Sequence, residues 1–198
     1  MSVTMALVDF LPVVLFLIAS LVLMRDLYHI LSKGAYALMS GGFLTIFMAG
    51  FFKALWKLLY AAGIADVVAL NNAFFPMQTT GFLLAGLGLM NLLWKKKKAL
   101  YAVPVYTSAM PFVAVMILGM ALVWGSLASL AAKMKKKGIM ILVLVSFVCM
   151  LGMGYLSSKD FADPLMNWIG EGVNIAGMLL LLVSALGLHR AGLDEFEF

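Results

Sequence analysis

Polar and charged side chains inside otherwise apolar stretches are the only residues in this sequence with the chemistry to do more than pack. Lys53 and Lys57 lie one helical turn apart with Trp56 between them, so they share a helix face. They read either as snorkelling side chains at a span end or as a cationic patch at a cavity mouth that takes an anionic substrate or lipid head group. Gln78, Thr79 and Thr80 follow Pro76 at the start of another apolar run. They suit interhelical hydrogen bonding, or a polar lining beside backbone that proline has freed. Asn167, Glu171 and Asn174 sit in NWIGEGVN at the start of the last run. A carboxylate there suits the helix dipole, and a buried one can also carry a proton. Asp9, in the first run, is a second carboxylate of that kind.

None of these residues forms a catalytic or cofactor motif. The sequence contains no HExxH, GxSxG or P-loop pattern, and the glycines of GFLLAGLG lie within an apolar run, not at the opening of a helix after a strand. His29 and His189 stand alone near run ends, and Cys149 is the single cysteine, so neither a disulfide nor a cysteine-rich metal site is expected. No metal and no cofactor is assigned.

The elements that must position these groups are membrane helices. The chain is 65% hydrophobic and 12% charged, with mean hydropathy +1.08, far from the usual balance of a soluble domain. Its net charge of +5 comes largely from Lys95–Lys98, Lys133 and Lys135–Lys137. These clusters end apolar runs, where basic residues set topology and touch anionic lipid; nucleic-acid binding has no soluble module to act through.

The expected fold is all-α: a polytopic transmembrane bundle forming one domain over residues 1–198, with halves at 1–98 and 99–198. The expected spans are Ala6–Met24, Ala35–Phe52 (continuing as helix past Tyr60), Ala73–Trp94, Ala109–Ala132, Gly138–Leu156 and Asn167–Leu188. The first is expected to be retained, since it lacks a signal-cleavage pattern. Ala99–Ala132 is too long for one upright span and short for two. It reads as an interfacial segment, Ala99–Ser108, leading into span four. Folded back as a hairpin, it would make seven spans. Pro12 is echoed by Pro111, and Pro76-Met77-Gln78 by Pro164-Leu165-Met166-Asn167, which suggests a 3+3 repeat, inverted if each half has three alternating spans. Small residues four apart (Gly81 with Ala85, Gly125 with Ser129, Gly172 with Ala176) suit close helix approach, and the sixteen methionines suit pliable packing.

Six alternating spans place Lys95–Lys98 and Lys133–Lys137 on opposite faces, and Gln78 and Glu171 at opposite ends of the bundle. With six spans Lys53 and Lys57 are also too far from Glu171 for a direct salt bridge. The hairpin alternative, which the distribution of basic residues favours while length favours six spans, puts both lysine clusters on one face and lets Glu171 approach Lys53 or Lys57 directly. In either case the N-terminus and the Ala62–Asn72 connection are expected to be extracytoplasmic, because basic residues first appear after span one.

The leading function is movement of a small solute or ion as a carrier or channel, with Gln78, Thr80, Asn167, Glu171 and Asn174 as lining and Lys53 and Lys57 near the mouth. The alternative is a non-transporting subunit or sensor that docks a partner protein through its lysine clusters and acidic tail. An intramembrane lipid-modifying enzyme is third, for want of a nucleophile–base or metal set. The expected partners are membrane lipids, a small-molecule or ion substrate, and a second copy or another membrane subunit.

Overall fold

A computed structural model describes residues 2–93, 112–156 and 164–196. Among these residues the secondary structure is helical: α1 (Val3–Val8), α2 (Phe10–Leu27), α3 (Lys33–Ala61), α4 (Val68–Asn72), α5 (Phe74–Met90), α6 (Phe112–Lys133), α7 (Lys137–Leu156) and α8 (Pro164–Arg190), with short 3-10 turns at Asn91–Leu93 and Leu193–Glu195. Six helical stretches are long and apolar enough to cross a membrane, so the chain has the build of a multi-pass membrane protein. Lys95–Lys98, the segment Ala99–Ser108, and Lys159, Asp160 and Asp163 lie outside the described residues.

Prolines set two of the helix breaks. Pro12 has no N–H to offer the carbonyl of Val8, and the helix is interrupted at Asp9 between α1 and α2. Pro76 stands in the same relation to Asn72, and the break falls at Ala73 between α4 and α5. Helix starts are capped where the sequence allows. Ser2 Oγ accepts from the Met5 amide at 3.2 Å, and Ser32 Oγ from the Ala35 amide at 3.3 Å. The α6–α7 turn is tight, with Lys135 in the left-handed region at φ 58°.

The six long helices close into a ring in the order α2, α3, α5, α6, α7, α8 and back to α2. Close contacts fix their directions. Ring pairs Phe10–Phe51, Phe16–Phe43 and Tyr28–Tyr36 make α2 and α3 antiparallel. Gly42 lies against Gly81 and Ala85, and Gly88 against Ala35 and Met39, so α3 and α5 are antiparallel as well. The next pair breaks the alternation. Gly86 meets Gly119 and Leu122, and Gly119 meets Phe82 and Leu83. Thr79 Oγ1 donates to the Phe112 carbonyl at 3.4 Å, and Lys133 Nζ to the Leu92 carbonyl at 2.6 Å. Helices α5 and α6 are therefore parallel. Past them, Gly177 against Ser146 and Cys149, with Gly187 against Ile139, make α7 and α8 antiparallel.

Three sequence expectations change as a result. The end of α6, with Lys133, lies beside the end of the Asn91–Leu93 turn that Lys95–Lys98 follow, so Lys133 does not face the opposite side from Leu92. Strict alternation of six spans fails for a topological reason: the chain leaves Leu93 at one end of the bundle and resumes at Phe112 at the other. The triplet α2, α3, α5 runs in the same sense as the triplet α6, α7, α8, so these six helices are not related by inversion. The six apolar helices themselves, and the continuation of the second to Ala61, are as the sequence implied.

Small residues do not all act alike. A Cβ on Gly81 would stand 2.7 Å from Ile46 Cγ1 and 2.9 Å from the Gly42 carbonyl oxygen, whereas Gly125 and Gly172 have nothing within 4 Å. Of the expected small-residue pairs, only Gly81–Ala85 marks a close helix approach. Adjacent glycines in α3 offer a direct test. Gly42→Val places a branched side chain into α5 backbone and is expected to cost about 3 kcal/mol, the upper part of the usual overpacking range. Gly41→Val faces open space and is expected to stay within about 0.5 kcal/mol. Thermal unfolding of both variants in detergent measures the difference, and equal melting temperatures would contradict the α3–α5 contact.

Candidate functional site

The ring is filled at one end and hollow at the other. Toward the end of α2 that carries Arg25, the large side chains of Leu23, Met39, Leu89, Trp124, Leu127 and Leu188 are buried against one another. Trp124 Nε1 donates to Ser146 Oγ at 2.9 Å, and Ser146 Oγ to the Gly177 carbonyl at 2.8 Å, which ties α6, α7 and α8 together within this packing. Toward the Asp9 end the axis opens into a cavity of about 140 Å³, to which all six long helices contribute. Its deepest residues, Phe16, Ile46, Met120 and Met178, lie near the middle of their helices, so the cavity stops at about half the height of the bundle.

Four ionisable side chains line this cavity: Asp9, Lys53, Lys57 and Glu171. Asp9 reaches it because the Pro12 break lies there. Lys53 and Lys57 reach it because their shared face of α3 looks inward. Asp9 is 6% exposed and forms an ion pair with Lys57. Glu171 is 5% exposed, and its carboxyl adjoins that of Asp9. Its Oε1 has no hydrogen-bond partner. Lys53 Nζ rests over the face of Phe74, 4.0 Å from the ring centroid, a favourable cation–π placement. Gln78 and Asn174 add neutral polar groups to the wall. The floor and far side are methionine-rich, with Met116, Met120, Met150, Met153 and Met178.

The structure thus brings Lys53, Lys57, Gln78, Glu171 and Asn174 together. It does not bring Thr80 or Asn167 to the lining. Thr80 is exposed on the outer surface of α5, and its buried neighbour Thr79 bonds to α6 instead. The expected separation of Glu171 from Gln78, Lys53 and Lys57 is overturned. Because α5 and α8 run in the same sense, both enter from the Asp9 end, and Glu171 sits within electrostatic reach of both lysines. Asp9, which the sequence marked only as a second carboxylate, proves central. The proline three residues after it was the available signal. The lining methionines were read as packing, and nothing in their spacing set them apart.

A second polar cluster lies at the filled end. Asp26 is 1% exposed. Arg25 Nε donates to Asp26 Oδ1 at 3.0 Å, Arg25 also reaches His189 Nε2 at 2.9 Å, and His189 Nδ1 lies 3.2 Å from Asp26 Oδ2. This cluster fastens α2 to α8 across the junction of the two triplets. Lys133 on the Leu92 carbonyl fastens the other junction, α5 to α6, at the same end. Among the described residues no group of three or more His, Cys, Asp or Glu gathers as a metal site.

No family model, curated protein or solved structure matches this chain.

Breaking a buried ion pair by removing one partner leaves an uncompensated charge, whereas removing both is far milder. Asp9→Asn is therefore expected to lower stability by about 3 kcal/mol, and the double variant Asp9→Asn, Lys57→Met to regain most of the loss. Thermal unfolding of the unmodified protein, of Asp9→Asn and Lys57→Met singly and of the double variant, all in one detergent, gives the coupling. Simple additivity would mean that the Asp9–Lys57 pair contributes nothing to the fold.

Proposed function

We propose that this protein moves a small polar solute across the membrane as a carrier. The observation that carries the reading is a blind axial cavity, built by both helix triplets and lined by Asp9, Lys53, Lys57 and Glu171, that ends at mid-height above a filled half. Ionisable groups within a bundle are costly, and they mark solute or ion paths when they face an internal cavity. A blind cavity suits alternating access better than an open channel. The docking-subunit alternative has support in α7, of which only Val143, Ser146 and Met150 are buried within the bundle, but lipid covers such a face equally well, and docking gives the charged cavity no role.

The two triplets suit parallel repeated units whose equivalent members are α2 with α6, α3 with α7, and α5 with α8. Pro76 and Pro164 then stand within the first turns of corresponding helices. Carriers built from repeats work by rocking one unit against the other about a central site. Here both junctions between units are fastened at the filled end, by Arg25, Asp26 and His189 on one side and by Lys133 on the other. Opening that end requires both fastenings to release. Arg25, Lys33, Lys133, Lys135–Lys137 and Arg190 lie at this end, which makes it the cytoplasmic one. The cavity then opens to the extracytoplasmic side, as do the N-terminus and the Ala62–Asn72 connection.

Orientation and gating are tested together in a Cys149→Ser background. With impermeant maleimide applied outside intact cells, Asn72→Cys and Gln78→Cys are expected to react and Lys136→Cys to be shielded. Adding Asp26→Asn, which weakens the cytoplasmic fastening, is expected to slow labelling at Gln78→Cys severalfold. Labelling at Lys136→Cys in place of Asn72→Cys would reverse the orientation, and unchanged labelling at Gln78→Cys would argue against alternating access. For transport itself, proteoliposomes are offered a defined mixture of amino acids, sugars, organic acids and amines, and uptake is read by mass spectrometry. Uptake of at least one component is expected, with Glu171→Gln abolishing it at a nearly unchanged melting temperature. Loss of uptake only in parallel with loss of stability would remove Glu171 from the site, and no uptake at all would count against the carrier.

A further inference from the structure

The charges in the cavity do not cancel in place, and what they leave over specifies a ligand. Lys57 is paired with Asp9. Lys53 has no carboxylate within ion-pair distance among the described residues. Its ammonium is held on the Phe74 ring. Glu171, only 5% exposed, keeps Oε1 without a donor among the described residues. Asp9 Oδ1, on the adjoining carboxyl, has no donor either. An ammonium without a carboxylate partner and these unsatisfied carboxyl oxygens thus face one small space without meeting each other. Leaving a buried acceptor unpaired is expensive, and a ligand that supplies an N–H donor to Glu171 and a carboxylate to Lys53 satisfies both groups at once.

The remaining walls limit the rest of that ligand. A cavity of about 140 Å³ is close to the roughly 150 Å³ of an engineered protein cavity that holds benzene. Its floor includes Met120, Met150 and Met178 beside Phe16 and Ile46, each buried, and thioether side chains adapt their shape to apolar groups. Resting on the carrier reading, the geometry points to a small zwitterion, an α-amino acid with an apolar side chain of moderate size, as the solute. Its ammonium group lies at Glu171, its carboxylate at Lys53, and its side chain among the methionines. Gln78 and Asn174 are placed to hydrogen-bond the same polar end.

The test uses the full chain, unmodified, in lipid nanodiscs, with binding read by titration calorimetry and ligand-induced thermal stabilisation. L-leucine is expected to bind. N-acetyl-L-leucine, which lacks the ammonium, and L-leucine methyl ester, which lacks the carboxylate, are each expected to bind at least about tenfold more weakly, the usual consequence of losing a charge-assisted hydrogen bond. Glycine, without a side chain for the methionine floor, is expected to bind more weakly as well. Lys53→Gln and Glu171→Gln are expected to reduce leucine affinity by a similar factor. The ligand series on the unmodified protein decides the matter even where a variant folds poorly. N-acetyl-L-leucine binding as tightly as leucine would make this an anion site, and equal binding of the methyl ester a cation site. Either result overturns the zwitterion. Failure of every amino acid to bind, with uptake of another solute class into proteoliposomes, overturns this inference and leaves the carrier standing. Leucine binding abolished by Lys53→Gln, with no uptake of any solute, upholds the zwitterion site and sinks the carrier.

Discussion

A charge placed against lipid hydrocarbon costs several kcal/mol, and this constraint shapes the bundle. Asp9, Lys53, Lys57 and Glu171 lie within or beside helices that otherwise offer apolar surfaces. They are accommodated because six helices close into a ring and give all four an interior to face. Pairing then reduces the remaining cost. Lys57 meets Asp9 and Lys53 meets the face of Phe74, whereas Glu171 lies beside the like-charged Asp9 and is compensated by the two lysines within electrostatic reach. The interruption at Asp9 is part of the same solution, since the Pro12 break brings that carboxylate to the wall of the cavity.

In lipid there is no hydrophobic gain from bringing two apolar helices together, so contact depends on close packing and on interhelical hydrogen bonds. The sharpest approaches run through α5. Gly81 and Gly88 let it meet α3, and Gly86 opposite Gly119 lets it meet α6. Hydrogen bonds do comparable work elsewhere, in the Trp124–Ser146–Gly177 chain and in the Arg25–Asp26–His189 cluster. The last of these joins the first triplet to the second. It seals the end of the bundle farthest from the cavity, which gives the molecule a closed half and an open half.

That asymmetry is where packing and the proposed function meet. The closed half is filled by Trp124, leucines and Met39 around polar contacts that are few and discrete. The open half is lined by flexible methionines and by charges that partner each other only in part. A filled core is costly to rearrange side chain by side chain, but two units joined by a few polar fastenings can move as bodies. The positions of those fastenings, one at each junction and both at one end, fit a rocking motion about the cavity.

Composition and run length alone determined that this is a helical membrane bundle, and placed its six apolar helices to within a few residues. Both follow from local physics: backbone in lipid must satisfy its own hydrogen bonds, and the bilayer thickness sets helix length. Lys53, Lys57, Gln78, Glu171 and Asn174 were legible as candidates for the same reason, because each is a polar group where hydrocarbon is expected. Their meeting in one cavity was anticipated only under the hairpin alternative, and only for Glu171 with the lysines. It depends on α5 and α6 running parallel, which places the starts of α5 and α8 at the same end. Side-chain hydropathy carries no record of helix direction. The apolar stretch after Lys98 satisfied more than one path across the membrane: its length favoured six alternating spans, whereas the distribution of basic residues favoured the hairpin. Thr80 lies outside the lining because rotation about a helix axis is set by neighbouring helices, and in lipid both faces of a helix are apolar; Asn167 shares the face of Glu171 and Asn174 but stands one turn closer to the helix start than the lining residues. Tertiary packing decided helix direction and rotation, and with them which polar side chains share the interior.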